Sequence, residues 1–369
     1  MSPGSVFYFR DVSQNHHPAR QLTTAMISAG DAPLWNPLRG AGQPLLANPN
    51  MLVLHPTTLL FVVLPFEWAF KMSIVLQIVL AGAGAWLVLR DIGASRAGSL
   101  LGAAVFCLSG YMLSLGNLIN LLDSAAFMPL TVWLAGRAMT RGFSPWGSLA
   151  ALSLAVQIMA GEPSMLLCTA AGFLGLHWSL GGGATERSAP AGAPAGQSRS
   201  LVWRLAGAAG IVLLALAISM VAVLPTVELL AQSERGAGFD REEALKWSLP
   251  PMALLQTAVP DLFGDPTRTD IASYWGGGVF DAGLPFILSL YLGPAAIILA
   301  CAGLAGGLTS GNRRRRAEAL VLAALALGGI TLSLGRFFPL YPALLSLLKP
   351  LESVRYPVKY FLIVVWAMS

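Results

Sequence analysis

The sequence predicts an all-α, multi-spanning membrane protein, and three observations predict it. Of its 369 residues, 55% are hydrophobic and 11% charged, with mean hydropathy +0.66, where a soluble domain carries roughly 25% charged residues. Apolar runs such as 69–89 and 206–224 approach or reach the roughly 20 residues that carry a helix across a ~30 Å hydrocarbon core. Finally, arginines and carboxylates sort into alternate segments between those runs.

The runs place spans at 69–89, 97–115, 123–139, 146–160, 164–180, 204–224, 284–305, 318–335 and from 358 onward. Residues 51–64 are apolar but short and include His55 and Pro56, so they are expected to form a re-entrant or interfacial helix. Lys and Arg in short loops mark the cytoplasmic side. One alternate set of loops holds Arg90, Arg96, Arg137, Arg141, Arg187, Arg199, Arg204 and Arg313 to Arg316, with Asp91, Glu186 and Glu318 as its acids. The opposite set holds residues 1–68, the turns near 116–122 and 161–163, the loop 225–283 and the segment 336–357, and carries most of the acids. The first set is read as inside, which puts the second on the outer face. Gly181 to Ser200, rich in Gly, Ala, Pro and Ser, reads as a flexible linker. The chain thus divides into an outer loop with its interfacial helix (1–68), an N-terminal bundle of about five spans (69–180), a cytoplasmic linker (181–203) and a C-terminal part (204–369).

Composition also excludes classes. The net charge of +5 is scattered between apolar spans and does not form the basic face that nucleic acid requires. Cys107, Cys168 and Cys301 lie inside apolar runs, where cysteine behaves as a small hydrophobe and not as part of a disulfide or zinc framework. The first 50 residues show no basic stretch followed by an apolar core of the signal-peptide kind.

Candidate chemistry lies on the outer face. Residues 31–56 contain DAPLWNP, GAGQP, NPN and HP, an ordered loop by its Gly and Pro content. Its Trp35 and Asn36 suit a sugar or a phosphate, or Trp35 anchors the loop in the interface. Asn117, Asn120, Asp123 and Glu162 fall at the edges of spans, where an ionisable or polar group is a functional candidate. Asp123 equally suits a helix N-cap, and Glu162 a solvated turn. The acids of 225–283 read as a solvated face, and Gly276 to Gly278 lack the Lys of a phosphate loop. Arg355 and Lys359, in RYPVK, suit a lipid-linked phosphate or headgroup anchoring. In the opening FRDVSQNHHP, His16 and His17 lack the spacing and the third ligand of a zinc site, so no metal site is assigned. Asp11 remains as a proton acceptor, supported by Gln14. No cofactor is expected from these residues, with a divalent cation left open.

The ordered set of motifs carries a resemblance. Asp11 with Gln14 and Pro18, PLWNP at 33–37, AGAGAWLVLRDIGASRAGSLLGAAVFCLSGY at 81–111, Asn117 through Pro129, GEP at 161–163, PTVELLAQSERG at 225–236 and RYPVK at 355–359 together resemble the YfhO-like bacterial membrane proteins. That family is grouped with the GT-C superfamily of polyprenyl-phosphate-dependent glycosyltransferases. The resemblance implies a GT-C-like helical bundle in the bacterial cytoplasmic membrane, active face outward, that moves a sugar from a polyprenyl-phosphate carrier to an envelope polymer or lipid. It implies Asp11 as general base, Arg355 and Lys359 on the departing phosphate and Glu162 or Asp123 as a second carboxylate. Gln14, Trp35, Asn36, Asn117 and Asn120 become expected substrate contacts, among surrounding membrane lipids. Family members place a span before the Asp loop, which here has ten residues ahead of it. The chain also stops inside an apolar run, so it is expected to be a piece of a longer protein. The alternatives are a transporter or flippase of a lipid-linked or small polar substrate, and a non-catalytic envelope-assembly protein. A transporter should show broken or charged helices near the bilayer midplane and an internal repeat; here the polar groups gather on one face.

Overall fold

The computed structural model describes residues 11–178, 201–233, 236, 238–267, 274–281 and 283–369. The expected linker at 181–200 and the opening Phe9-Arg10 lie outside the described residues. In order the α-helices are α1 (His17–Ser28), α2 (Thr58–Val63), α3 (Phe66–Asp91), α4 (Arg96–Cys107), α5 (Gly110–Ser114), α6 (Ile119–Arg141), α7 (Trp146–Met159), α8 (Pro163–Trp178), α9 (Leu201–Ala231), α10 (Arg241–Ala244), α11 (Pro294–Thr309), α12 (Arg313–Ser333), α13 (Leu340–Leu347) and α14 (Phe361–Met368). The sheet content among the described residues is one antiparallel hairpin, Trp35–Asn36 against Gln43–Pro44. Five helical segments are long and apolar enough to cross a membrane: α3, residues 96–117, α6, α9 and α12. The protein is thus mostly helical and suited to a membrane, as expected.

Several boundaries differ from the sequence reading. The run 97–115 is interrupted at Leu108-Ser109, where the Ser109 hydroxyl accepts from the Met112 amide at 3.2 Å and starts a new helix as its N-cap. The expected span 284–305 begins only at Pro294, because Gly293 takes a positive φ of 94° and Pro294 opens the helix. Residues 51–64 form a turn and then the short α2, with Leu59, Val62 and Val63 exposed as an interfacial helix requires. The segment 1–68, read as a loop, contains α1, started by Pro18 at its first turn.

Contacts between loops lie at both ends of the helices. At one end Arg137 of α6 bonds Asp91 at the end of α3, with Nε to Oδ2 at 2.7 Å, and lies over the rings of Trp133 and Trp146. At the other, the Thr226 hydroxyl donates to the Ala47 carbonyl at 3.0 Å. There too the Gly110 amide donates to the Tyr291 carbonyl at 2.6 Å. Between the ends, α6 is the most enclosed of the five long apolar helices, with Leu122, Ala125, Met128 and Val132 fully buried. Beside it, the apolar side chains of α14, such as Phe361 and Trp366, pack against α12 and α8. The outer sides of α9 and α12 remain exposed, as at Leu213, Val221 and Leu327, which is the surface a lipid solvent leaves uncovered.

Without a hydrophobic drive between helices in lipid, close approach through small residues holds the bundle together. At Gly84 of α3, a Cβ would meet the Leu130 backbone nitrogen at 2.7 Å and Pro129 Cβ at 3.0 Å. Gly84→Val is therefore expected to push α3 from α6 and destabilise by roughly 1–3 kcal/mol, read as a lowered unfolding midpoint in detergent. Gly306→Val on α11, where nothing lies within 4 Å, should leave the midpoint within about 0.5 kcal/mol of wild type.

Candidate functional site

The end that gathers residues 47–58, 110–123, 161–164 and 355–360 holds most of the buried polar side chains named from the sequence. It is assembled first by α1. A π-helical turn, Val12–His16, runs into α1 and turns Val12, His16, Ala19, Arg20 and Thr23 inward, while Gln14 and Gln21 face out. Arg20 is 2% exposed. Its guanidinium donates to the Leu52 carbonyl at 3.1 Å, to the Thr57 hydroxyl at 2.8 Å and to the Thr58 hydroxyl. It also lies 3.9 Å from Asp123 Oδ2 and over the Phe61 ring. Burial lowers the Arg20 pKa to about 10, against the opposing pull of Asp123, so it stays charged at neutral pH.

Asp123 sits in the second turn of α6 and is 1% exposed. The N-cap reading does not hold, since the cap position is Leu118 and the Asp123 side chain points into the bundle. His55 Nδ1 lies 3.1 Å from Asp123 Oδ2, and the Thr57 hydroxyl, 2.9 Å from the same nitrogen, reaches that oxygen at 3.3 Å. The same Nδ1 accepts from the Thr57 backbone amide at 3.4 Å. His55 Nε2 and Asp123 Oδ1 are buried without a hydrogen-bond partner among the described residues. Burial, followed by the charge of Arg20, lowers the His55 pKa to about 3. His16 is lowered to about 3 by the same two causes, although it bonds the Asn50 backbone.

The NPN motif joins this cluster to the next. Asn120 Nδ2 donates to Asn50 Oδ1 at 3.1 Å, and Asn48 Oδ1 accepts from the Asn50 amide at 3.2 Å. Pro49 fills the space where Gly161, at φ 71°, would carry a Cβ, so only glycine fits that turn. Beside it Glu162, 7% exposed, accepts from Lys359 Nζ at 2.8 Å and from the Ser164 hydroxyl at 2.7 Å. The solvated-turn reading of Glu162 is thereby overturned, since GEP packs under the NPN loop. Lys359 lies over the rings of Tyr356 and Phe286.

The remaining expected residues are placed apart. Tyr356, at φ 69°, separates the two cations of RYPVK: Lys359 turns to Glu162, and Arg355 Nη1 donates to Glu243 Oε1 at 2.9 Å. Arg355 also lies over Phe239 and Tyr356. Asn117 Nδ2 reaches only its own turn, the Ser114 carbonyl at 3.5 Å. Asp11 is half buried and accepts from Asn15 Nδ2 at 3.3 Å, while Gln14 is exposed. Arg39 donates to Asn15 Oδ1 at 2.8 Å, tying the π-helical turn before α1 to the hairpin that presents Trp35, 49% exposed. Asn36 Oδ1 accepts from the Leu38 amide at 2.9 Å, a turn-forming role. Among the described residues no three His, Cys, Asp or Glu side chains converge as ligands for an ion.

Arg20 and Thr57 were not named from the sequence, and His55 only within its HP motif. The four-residue spacing of His16 and Arg20 beside buried Val12 and Ala19 was the available signal, once 12–28 is read as a helix. Comparisons with protein families, curated proteins and solved structures find no match to this chain. Fold and site together define a helical membrane-type protein with paired charges enclosed at one end.

Two outcomes follow from this geometry. A neutral histidine held near pKa 3 binds its proton only after unfolding, so the unfolded chain takes up more protons below about 6.5. Stability should be fully present above pH 6.5 and fall toward pH 3, with His16→Gln and His55→Gln each flattening the midpoint-against-pH curve between 6.5 and 5. Removing one member of the Glu162–Lys359 pair should cost about 3–5 kcal/mol. The double variant Glu162→Gln, Lys359→Met should cost far less than the sum of the singles, read by detergent unfolding.

Proposed function

We propose that the chain is a membrane glycosyltransferase of the GT-C type, transferring a sugar from a polyprenyl-phosphate carrier to an envelope acceptor on the outer face of the bacterial cytoplasmic membrane. The observation that carries this reading is the contrast among three carboxylates at one end of an apolar helical body. Asp123 and Glu162 are buried and paired with cations, whereas Asp11 is half exposed and bonded by a neutral amide. Of the three, Asp11 is the carboxylate open to an acceptor hydroxyl.

In the proposed reaction Asp11 takes the proton of that hydroxyl, and its oxygen bonds the anomeric carbon. The bond from that carbon to the phosphate oxygen breaks, and its electron pair leaves on the phosphate. Arg355, 23% exposed at its side chain, is the accessible cation for the departing phosphate. Lys359 and Glu162 hold the turn that aims it. Asp123 and Arg20 act by positioning α1, and so Asp11. Gln14 and Trp35 supply polar and stacking contacts beside Asp11. The basic end at Arg90, Arg96, Arg137 and Arg141 faces the cytoplasm.

The interruption at Leu108-Ser109 favours the second reading, a transporter or flippase, because broken helices line substrate paths in such proteins. Activity separates the two. Asp11→Asn should lower transfer from a polyprenyl-phosphate sugar by about 100-fold or more at unchanged protein level, measured with membranes of cells producing the chain. Transfer retained in that variant removes Asp11 from the catalytic role.

A further inference from the structure

The polar cluster around Asp123 leaves part of its bonding capacity unused in the interior. Asp123 Oδ1, His55 Nε2 and Gln77 Oε1 are buried without a hydrogen-bond partner among the described residues. Asp123 and His55 are each 1% exposed, and Gln77 is 3% exposed. Gln77 lies on α3, which packs on α6, and turns its side-chain amide to the Asp123 carboxylate. His55 meets the same carboxylate through Nδ1, 3.1 Å from Oδ2. The three orphaned atoms therefore belong to side chains gathered on one carboxyl group, brought there by α3, α6 and the segment before α2.

A buried polar atom left unpaired bears the full desolvation cost of its group, and several on one carboxyl group point to a ligand that satisfies them together. The charges present define that ligand. Arg20 stands 3.9 Å from Asp123 Oδ2, and its buried guanidinium opposes a second cation at this carboxylate. The carboxylate in turn opposes an anion. Two of the three orphaned atoms, the carboxylate and amide oxygens, only accept hydrogen bonds, so the ligand must donate twice. A small, neutral molecule with two donors, held among two to four polar partners, is water. A separation such as that between Arg20 and Asp123 is also one that water commonly bridges.

We infer that enclosed water completes this cluster, donating to Asp123 Oδ1 and Gln77 Oε1 and pairing with His55 Nε2. This water joins α3 to the segment that carries His55, adding a third element to the docking of the N-terminal residues on α6. The site is independent of the proposed transfer reaction.

The test is hydroxyl-radical footprinting of the full chain in detergent, with an X-ray pulse given milliseconds after mixing into water enriched in heavy oxygen. Enclosed water exchanges slowly, so oxidation that it feeds carries ordinary oxygen, and peptide mass separates the two labels. Relative to the unfolded chain, His55 should oxidise several-fold faster than Phe106, which is equally enclosed but lies among apolar side chains, and its label should be ordinary oxygen. Gln77→Met removes one orphaned acceptor and should lower that label on His55 several-fold. Ser153→Ala alters a buried polar contact already closed by Thr131 at 2.7 Å and should leave it unchanged. Unfolding midpoints show which variants remain folded, and the wild-type label carries the test if Gln77→Met does not fold. Protection of His55 equal to that of Phe106, a label of heavy oxygen alone, an unchanged label in folded Gln77→Met, or an equal loss in Ser153→Ala would overturn the proposal.

Discussion

A carboxylate enclosed in a long, largely buried helix of an apolar bundle must find its partners inside the protein, and Asp123 imposes that condition here. An unpaired charge at that depth is expensive, so the chain brings Arg20 from α1 and His55 and Thr57 from the segment before α2 to the same oxygen. Through this contact an otherwise polar N-terminal segment is fastened to the bundle. Arg20 in turn collects the Leu52 carbonyl and two threonine hydroxyls, fixing the loop that carries Asn48, Pro49 and Asn50. That loop meets Asn120 and the Gly161 turn, and the same turn presents Glu162 to Lys359.

A single line of polar contacts thus runs across one end, from α1 through α6 to α8 and the segment before α14. Each member satisfies a neighbour from a different element, which fixes the approach of those elements more narrowly than apolar packing does. The opposite end is organised differently. There the contacts are local: Arg137 clasps Asp91, Arg314 pairs with Glu318 and Arg316 caps the Leu308 and Ser310 carbonyls.

Much of this was legible in the sequence where composition and periodicity decide the outcome. Apolar runs marked the long helices. Asp123 and Glu162 stood out because a carboxylate beside an apolar run needs a reason. Their partners were harder to read. Arg20 lies in a segment with proline and several polar residues, where burial is decided by what packs over it, and His55 preceded a helix too short to show a period. The pairing of Lys359 with Glu162, far apart in sequence, and the divergence of Arg355 depend on the positive φ of Tyr356, which no local pattern announces. The break at Leu108-Ser109 and the late start of α11 rest on capping and on Gly293, signals weaker than the hydropathy around them.

The central claim is that residues 11–58 are docked on the helical bundle by buried polar contacts. It is tested most directly by thiol cross-linking of Asn50→Cys with Asn120→Cys, in a chain carrying Cys107→Ala, Cys168→Ala and Cys301→Ala, using a short bifunctional thiosulfonate. The account predicts rapid, near-complete closure in the folded chain and its loss when Arg20→Leu and Asp123→Ala are added. A folded chain in which the pair does not close, or closes equally well without Arg20 and Asp123, would contradict it.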